Sequence, residues 1–177
     1  MPCQSRRVSE YTGIETKLGN VRVFPYALGA ADQDVDYFPG LGANTGAGSL
    51  LQSFPGVSAA SFTVKVRKGD AFFDGMDLPK MDLVKLDVQG YEPEVVRGLA
   101  GRIRRDRPAI LSEMTDLARA SYGTEAAFRE LFYENARFFE IKGGFRPWYK
   151  LEPFVYHTSD EILILPPEMS DFLDGRQ

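Results

Sequence analysis

The chain has 177 residues, of which 44% are hydrophobic, and its 21 basic and 25 acidic side chains give a formal net charge of -4. That length suits one domain spanning residues 1–177 with a proper core. The mild acidity gives no global reason to expect nucleic acid or an anionic membrane as partner.

Val8, Tyr11, Glu15 and Leu18 stand at helical spacing and predict a weak helix over 5–18 that stops at Gly19-Asn20. VRVFPYAL (21–28) reads as a strand in which Pro25 signals an edge, a bulge or an early end. VDYF is a short strand, and the glycine-rich PGLGANTGAG (39–48) is a loop. FTVKV (62–66) alternates as a half-buried strand. DLVKLDV (82–88) is apolar on both faces, as an interior parallel strand would be. Gln89-Gly90 ends it, Pro93 opens a short helix reaching Gly101, and RIRRDRP links to a strand at 109–112 that ends in Glu113. Thr124 caps a helix over 125–135 with Phe128, Leu131 and Phe132 as its apolar stripe. FFEI, WYKL and EILIL are three late strands, and a short helix follows Pro166-Pro167. The order predicts an α/β fold, with a mostly parallel central sheet and an antiparallel edge.

Cys3 is the only cysteine and His157 the only histidine, so an internal disulfide and a Cys/His structural zinc site are excluded. No metal site is expected, because no close Asp/His spacing occurs. There is no run of about 18 apolar residues, and the basic MPCQSRR precedes no apolar stretch. A soluble cytoplasmic protein with no membrane partner is the expectation. Residues 40–48 match a dinucleotide loop poorly, because Thr45 stands where a third glycine is needed and Pro55-Gly56 stops the segment that follows. Asn44, Thr45 and Ser49 are read instead as hydrogen-bonding residues near a site. The arginines 102, 104, 105 and 107 read as a solvated helix end, and Trp148 and Tyr149 beside Phe145 as packing for the late hairpin.

Ligands of open α/β sheets bind beyond the carboxyl ends of strands. KLDVQGYE (85–92) is the richest such place. Lys85 and Asp87 share a strand face, Gly90 permits a sharp turn, and Glu92 follows at the start of the helix. Asp87, Glu92 and Glu113 can converge on one pocket. Equally, Lys85 and Asp87 can form a plain ion pair with Glu92 as a helix cap.

KLDVQGYEPEVVRGLAG followed by RPAILSEM closely resembles the FkbM-type methyltransferase family, and VRVFPYALG, the Asn44 to Ser49 loop and DEILILPP agree in order. The resemblance covers about residues 2–167. It implies a partial Rossmann-like methyltransferase fold, S-adenosylmethionine as cofactor, and O-methylation of a small-molecule or sugar hydroxyl. It implies Asp87, Glu92 and Lys85 as catalytic residues. Ala27, Leu28, Gly29 and Gln89 would meet the cofactor, and Asn44, Ser49 and Glu113 the acceptor. The family's first strand and glycine-rich turn have no counterpart, and Met1 stands where an acidic residue precedes proline. The chain is therefore expected to be an N-terminally truncated portion of that domain, with an open sheet edge through which it could self-associate. The competing expectation is an inactive remnant or a non-catalytic interaction module.

Overall fold

In the structure, a computed structural model that describes residues 20–42, 47–60, 62–76, 78–143 and 149–174, the first strand begins only after Pro25. The expected helix over 5–18, together with Cys3, Asn44, Thr45, Phe145 and Trp148, lies outside the described residues. Strand β1 is Ala27–Gly29, short because proline has no N–H for a ladder. Upstream of it, the Phe24 and Tyr26 rings pack edge-on against Phe72 at 5.3 and 5.8 Å. Strands β2 (Gln33–Tyr37) and β3 (Phe62–Lys68) complete a three-stranded sheet of order β1-β3-β2. β1 runs parallel to β3 and β2 antiparallel to it. The alternation in FTVKV is realised, with Val66 fully buried and Thr63 and Lys65 exposed.

A five-stranded sheet contains β4 (Leu83–Leu86), β5 (Ala109–Glu113), β6 (Arg137–Lys142), β7 (Lys150–Pro153) and β8 (Glu161–Leu165) in the order β4-β5-β8-β6-β7. β4 and β5 are parallel, whereas β8 returns antiparallel between β5 and β6, and β7 closes the far edge. The antiparallel part is larger than the late strands alone suggest, because β8 inserts next to β5. The interior reading of DLVKLDV is corrected. Among the described residues β4 pairs only with β5, and Leu83 is 68% exposed. An edge strand leaves one flank without a neighbour to cover it.

Helices α1 (Gly69–Asp74), α2 (Glu92–Gly98), α3 (Ala100–Asp106), α4 (Asp116–Tyr122), α5 (Glu125–Arg129) and α6 (Pro167–Asp174) pack around these sheets. The RIRRDRP segment is helical rather than a link, and its arginines are not one solvated group. Arg102 is buried beside Asp106, with its guanidinium 5.5 Å from the Phe73 ring centre, and Arg107 pairs with Glu168 at 3.0 Å. α3 can start because Asp70 on α1 accepts the Gly101 and Arg102 N–H groups at 2.8 and 2.9 Å. Asp70→Ala leaves those donors unmet and is expected to cost about 1 kcal/mol, a fall of roughly 2–4 °C in melting temperature by calorimetry.

α4 is not anticipated by the sequence reading. Thr115 caps it by accepting from Ala118 N–H at 3.1 Å, and its buried Ala118 and Tyr122 stand four apart, the signal that could have revealed it. Thr124 caps α5 as expected, but the α-helix ends at Arg129 and the chain continues in turns. The core lies between α2 to α5 and the larger sheet, with Val96, Ile103, Ile110, Phe128 and Ile164 almost wholly buried. Phe128 is its aromatic hub, 4.9 Å from Tyr122 and 5.1 Å from Phe132. Tyr149 is exposed on the late hairpin rather than packed into it. Among the described residues no helix is long and apolar enough to cross a membrane.

Candidate active site

α2 lies against β1 because neither Gly98 nor Gly29 has a side chain. A β-carbon on Gly98 would sit 1.9 Å from the Gly29 carbonyl oxygen, and one on Gly29 would sit 2.6 Å from Val66 and 3.3 Å from the Tyr91 hydroxyl. This close approach places the end of β1 beside the end of β4. Between them, and between the two sheets, is a cavity of about 570 Å³. Tyr26, Ala27 and Leu28 form one wall, Tyr37, Phe62 and Val64 another, and Lys85, Leu86 and Asp87 line it from β4. Ser49 and Leu50 close one side, and Tyr91 and Val95 of α2 line it as well.

At the end of β4 the chain turns through two consecutive left-handed residues, Gln89 at φ 51° and Gly90 at φ 94°. Glycine adopts that conformation freely and glutamine does so at a cost of about 1–2 kcal/mol. Hydrogen bonds support the turn. The Ser49 hydroxyl donates to the Gln89 carbonyl at 2.8 Å and accepts from Leu51 N–H at 3.0 Å, so the preceding loop is fastened to it. Val88 N–H donates to Glu92 Oε1 at 3.0 Å.

The same turn gathers the acidic groups. Lys85 Nζ lies 3.2 Å from Asp87 Oδ2, and both side chains are half exposed. Gln89 Nε2 donates to Asp87 Oδ1 at 2.9 Å and to Glu113 Oε2 at 3.2 Å. The hydrogen bond from Gln89, followed by the bond and charge of Lys85, holds the Asp87 carboxyl below its ordinary range despite some burial. Burial, followed by the charge of Asp87, pushes Glu113 up. Burial pushes Glu92 up as well, against the pull of nearby backbone N–H groups.

The structure therefore brings together Lys85, Asp87, Gln89 and Glu113, and it sets Ala27, Leu28 and Ser49 on the cavity wall. Gly29 lies behind that wall, and Asn44 lies outside the described residues. Glu92 is 0% exposed and is not on the cavity wall, and Gln89 and Glu113, expected to meet cofactor and acceptor, do not line it either. Tyr91 is not among the residues the sequence singles out, yet it lines the cavity and its hydroxyl accepts from Gln33 Nε2 at 3.2 Å. The residues before Ser49 make bridges Phe38↔Ser49 and Gly40↔Val57 and lead into no helix, as a plain loop would.

A cavity of this volume is of ordinary size for a small ligand. Its aromatic and aliphatic walls suit the faces of a nucleobase, and the ionised Asp87 suits a cation. The residues present thus fit a positively charged nucleoside such as S-adenosylmethionine.

The fold is α/β, and the charged, apolar-walled cleft lies between its two sheets at the carboxyl ends of β1 and β4. The family model of the methyltransferase FkbM domain matches residues 9–143, and the chain belongs to the FkbM methyltransferase family. The hexuronic acid methyltransferase AglP of Haloferax volcanii is 28% identical over 86 residues, which is 49% of this chain and 34% of that protein. The solved structure of methyltransferase FkbM from Methylobacillus flagellatus KT aligns with 94% of this chain and 34% of its own, at 10% identity and a TM-score of 0.49. The chain thus spans about a third of the length of each relative it matches.

Proposed function

We propose that this chain is an S-adenosylmethionine-dependent methyltransferase that modifies a hydroxyl of a small molecule or sugar. The observation that carries this reading is Asp87, a carboxylate on the wall of a largely apolar cavity, joined through the Gln89 amide to the carboxylate of Glu113. Family membership supplies the reaction type, and the AglP relative, named for a sugar acid, supports a sugar-like acceptor.

When bound, the cofactor supplies a methyl group activated by a neighbouring sulfonium charge. The chain's own residues do the positioning, which is the main lever in a displacement between two held partners. Tyr26, Ala27 and Leu28 would hold the cofactor's nucleoside face, and Asp87 would face its positive charge and accept the hydrogen bond of the acceptor hydroxyl. Because its proton affinity is lowered, Asp87 orients that hydroxyl better than it retains the proton. Glu113 lies off the cavity wall and the Gln89 amide cannot relay a proton, so the proton leaves through water and Glu113, with its proton affinity raised, takes it up from there. Two carboxyls driven apart in this way divide the acid and base work. Lys85 keeps Asp87 charged, and Ser49 holds the turn that carries Gln89.

Transfer of an isotope-labelled methyl from S-adenosylmethionine to a panel of neutral sugars, uronic acids and simple alcohols tests the reading. Labelled ether products from at least one hydroxyl compound are expected. Cofactor binding without transfer to any hydroxyl, or transfer only to nitrogen or carbon acceptors, would contradict it. Among the described residues β4 has a strand partner on one side only, and this favours a second reading, a non-catalytic module that pairs with another strand and would bind no cofactor.

A further inference from the structure

We infer that Glu92 is a positioning residue, not a catalytic one: by accepting the Val88 N–H, its buried carboxyl holds the left-handed turn that places the Gln89 amide between Asp87 and Glu113. The part concerning the turn stands on geometry alone. The part concerning transfer rests on the function proposed above.

Three observations lead here. Glu92 is 0% exposed and is not on the cavity wall, so it cannot reach a ligand without unfolding the start of α2. Its Oε1 accepts from Val88 N–H at 3.0 Å, four residues back, which closes a ring around Gln89 and Gly90, while Oε2 makes no hydrogen bond. Gln89 is held at φ 51° without being glycine, so the strain must be met from outside. Ser49 grips the turn from the loop side and Glu92 from the helix side. If either grip is lost, the Gln89 amide has no reason to stay where it serves two carboxylates at once.

A buried carboxyl is costly to charge, and burial raises its proton affinity. A protonated carboxyl still accepts through its carbonyl oxygen, so the lock to Val88 does not need a charge. The ionisable groups around this assembly are Lys85 and Asp87 from the β4 end, Glu113 from β5, Glu161 from β8 and Tyr122 from α4.

The test is titration of the Asp87 carboxyl carbon by NMR in the full chain, with calorimetry of S-adenosylmethionine binding alongside, for wild type, Glu92→Gln and Glu92→Met. Gln keeps an acceptor oxygen; Met keeps the bulk, tolerates burial and accepts nothing useful, so it should fold even though the lock is gone. Glu92→Gln is expected to leave Asp87 titrating where wild type does. Glu92→Met is expected to move it upward, towards the ordinary value of about 3.9, as the Gln89 bond is lost. If the cofactor binds, its affinity should fall in the Met variant and hold in the Gln variant. An unmoved Asp87 titration in folded Glu92→Met would overturn the inference. So would a Gln variant with wild-type titration and binding but no methyl transfer, since the proton of Glu92 would then be needed for chemistry. A wild-type chain that binds no S-adenosylmethionine would sink the proposed function, while the titration would still decide the role of Glu92. Should Glu92→Met fail to fold, Ser49→Ala removes the other grip, and an unmoved Asp87 titration there would equally contradict the account of the turn.

Discussion

Asp87→Asn is expected to lower methyl transfer by roughly 10²–10³-fold, the usual scale for loss of one preorganised charge-stabilising group, with little change in melting temperature. The side chain is half exposed and its pairing with Lys85 is at the surface, where such pairs contribute only about 0–1 kcal/mol. The loss should therefore appear in turnover and cofactor affinity, not in folding. The pH dependence supplies an independent check. In wild type the depressed Asp87 stays charged as pH falls below the ordinary carboxylate range. Glu113, raised by burial and by the Asp87 charge, takes its proton at higher pH. The acid side of the activity profile should thus follow Glu113, not Asp87. Replacing Asp87 with asparagine removes one of the two main causes of that rise, so residual activity should lose its acid limb at lower pH than wild type. A variant with wild-type turnover, or with an acid limb moved upward, would contradict these roles.

Gly98→Ala is the substitution expected to damage the fold most. The new β-carbon would lie 1.9 Å from the Gly29 carbonyl oxygen, 2.6 Å from the Gly29 carbonyl carbon and 3.2 Å from the Gly69 nitrogen, all of them backbone atoms that cannot rotate away. α2 would have to lift from β1. Overpacking usually costs about 1–3 kcal/mol, and a rigid clash on this scale belongs at or above the top of that range. A loss of about 3 kcal/mol corresponds to roughly 6–12 °C in melting temperature for a domain of this size. Because β1 carries Ala27 and Leu28 on the cavity wall, ligand binding should weaken as well. Gly143→Ala is the control. A β-carbon there would meet none of the described residues within 4 Å, and the variant should stay within about 0.5 kcal/mol of wild type. Denaturant unfolding of the two variants measures the contrast.

The KLDVQGYE stretch was legible because its chemistry is local. Alternation set Lys85 and Asp87 on one face, and a glycine after a strand announced the turn. The convergence of Glu113 was legible as well, since a strand ending in a carboxylate next to another parallel strand end places the two side by side. EILIL matched β8 residue for residue for the same reason, being a short apolar run bounded by Asp160 and Pro166.

Other features depended on contacts distant in sequence. The burial of Glu92 is a tertiary effect, for Glu113 of β5 and Tyr122 of α4, both distant in sequence, are close enough to interact with it. Local sequence showed only an acid at the start of a helix. The helical state of RIRRDRP depends on a cap supplied by Asp70 from about thirty residues upstream. β4 looked interior because Leu83 is apolar, yet pairing on its other side is a property of the whole sheet. Tyr91 was hidden because an aromatic after a turn reads as core, and only the joining of the two sheets makes it a cavity wall.

The claim on which the others depend is that the cavity between the two sheets holds S-adenosylmethionine. Isothermal calorimetry of the 177-residue chain with S-adenosylmethionine, repeated on Asp87→Asn, tests it most directly. One site of micromolar affinity that weakens at least tenfold in the variant is expected. No detectable heat at millimolar cofactor, or equal affinity in both proteins, would contradict it and favour a module that binds through the edge that β4 presents among the described residues.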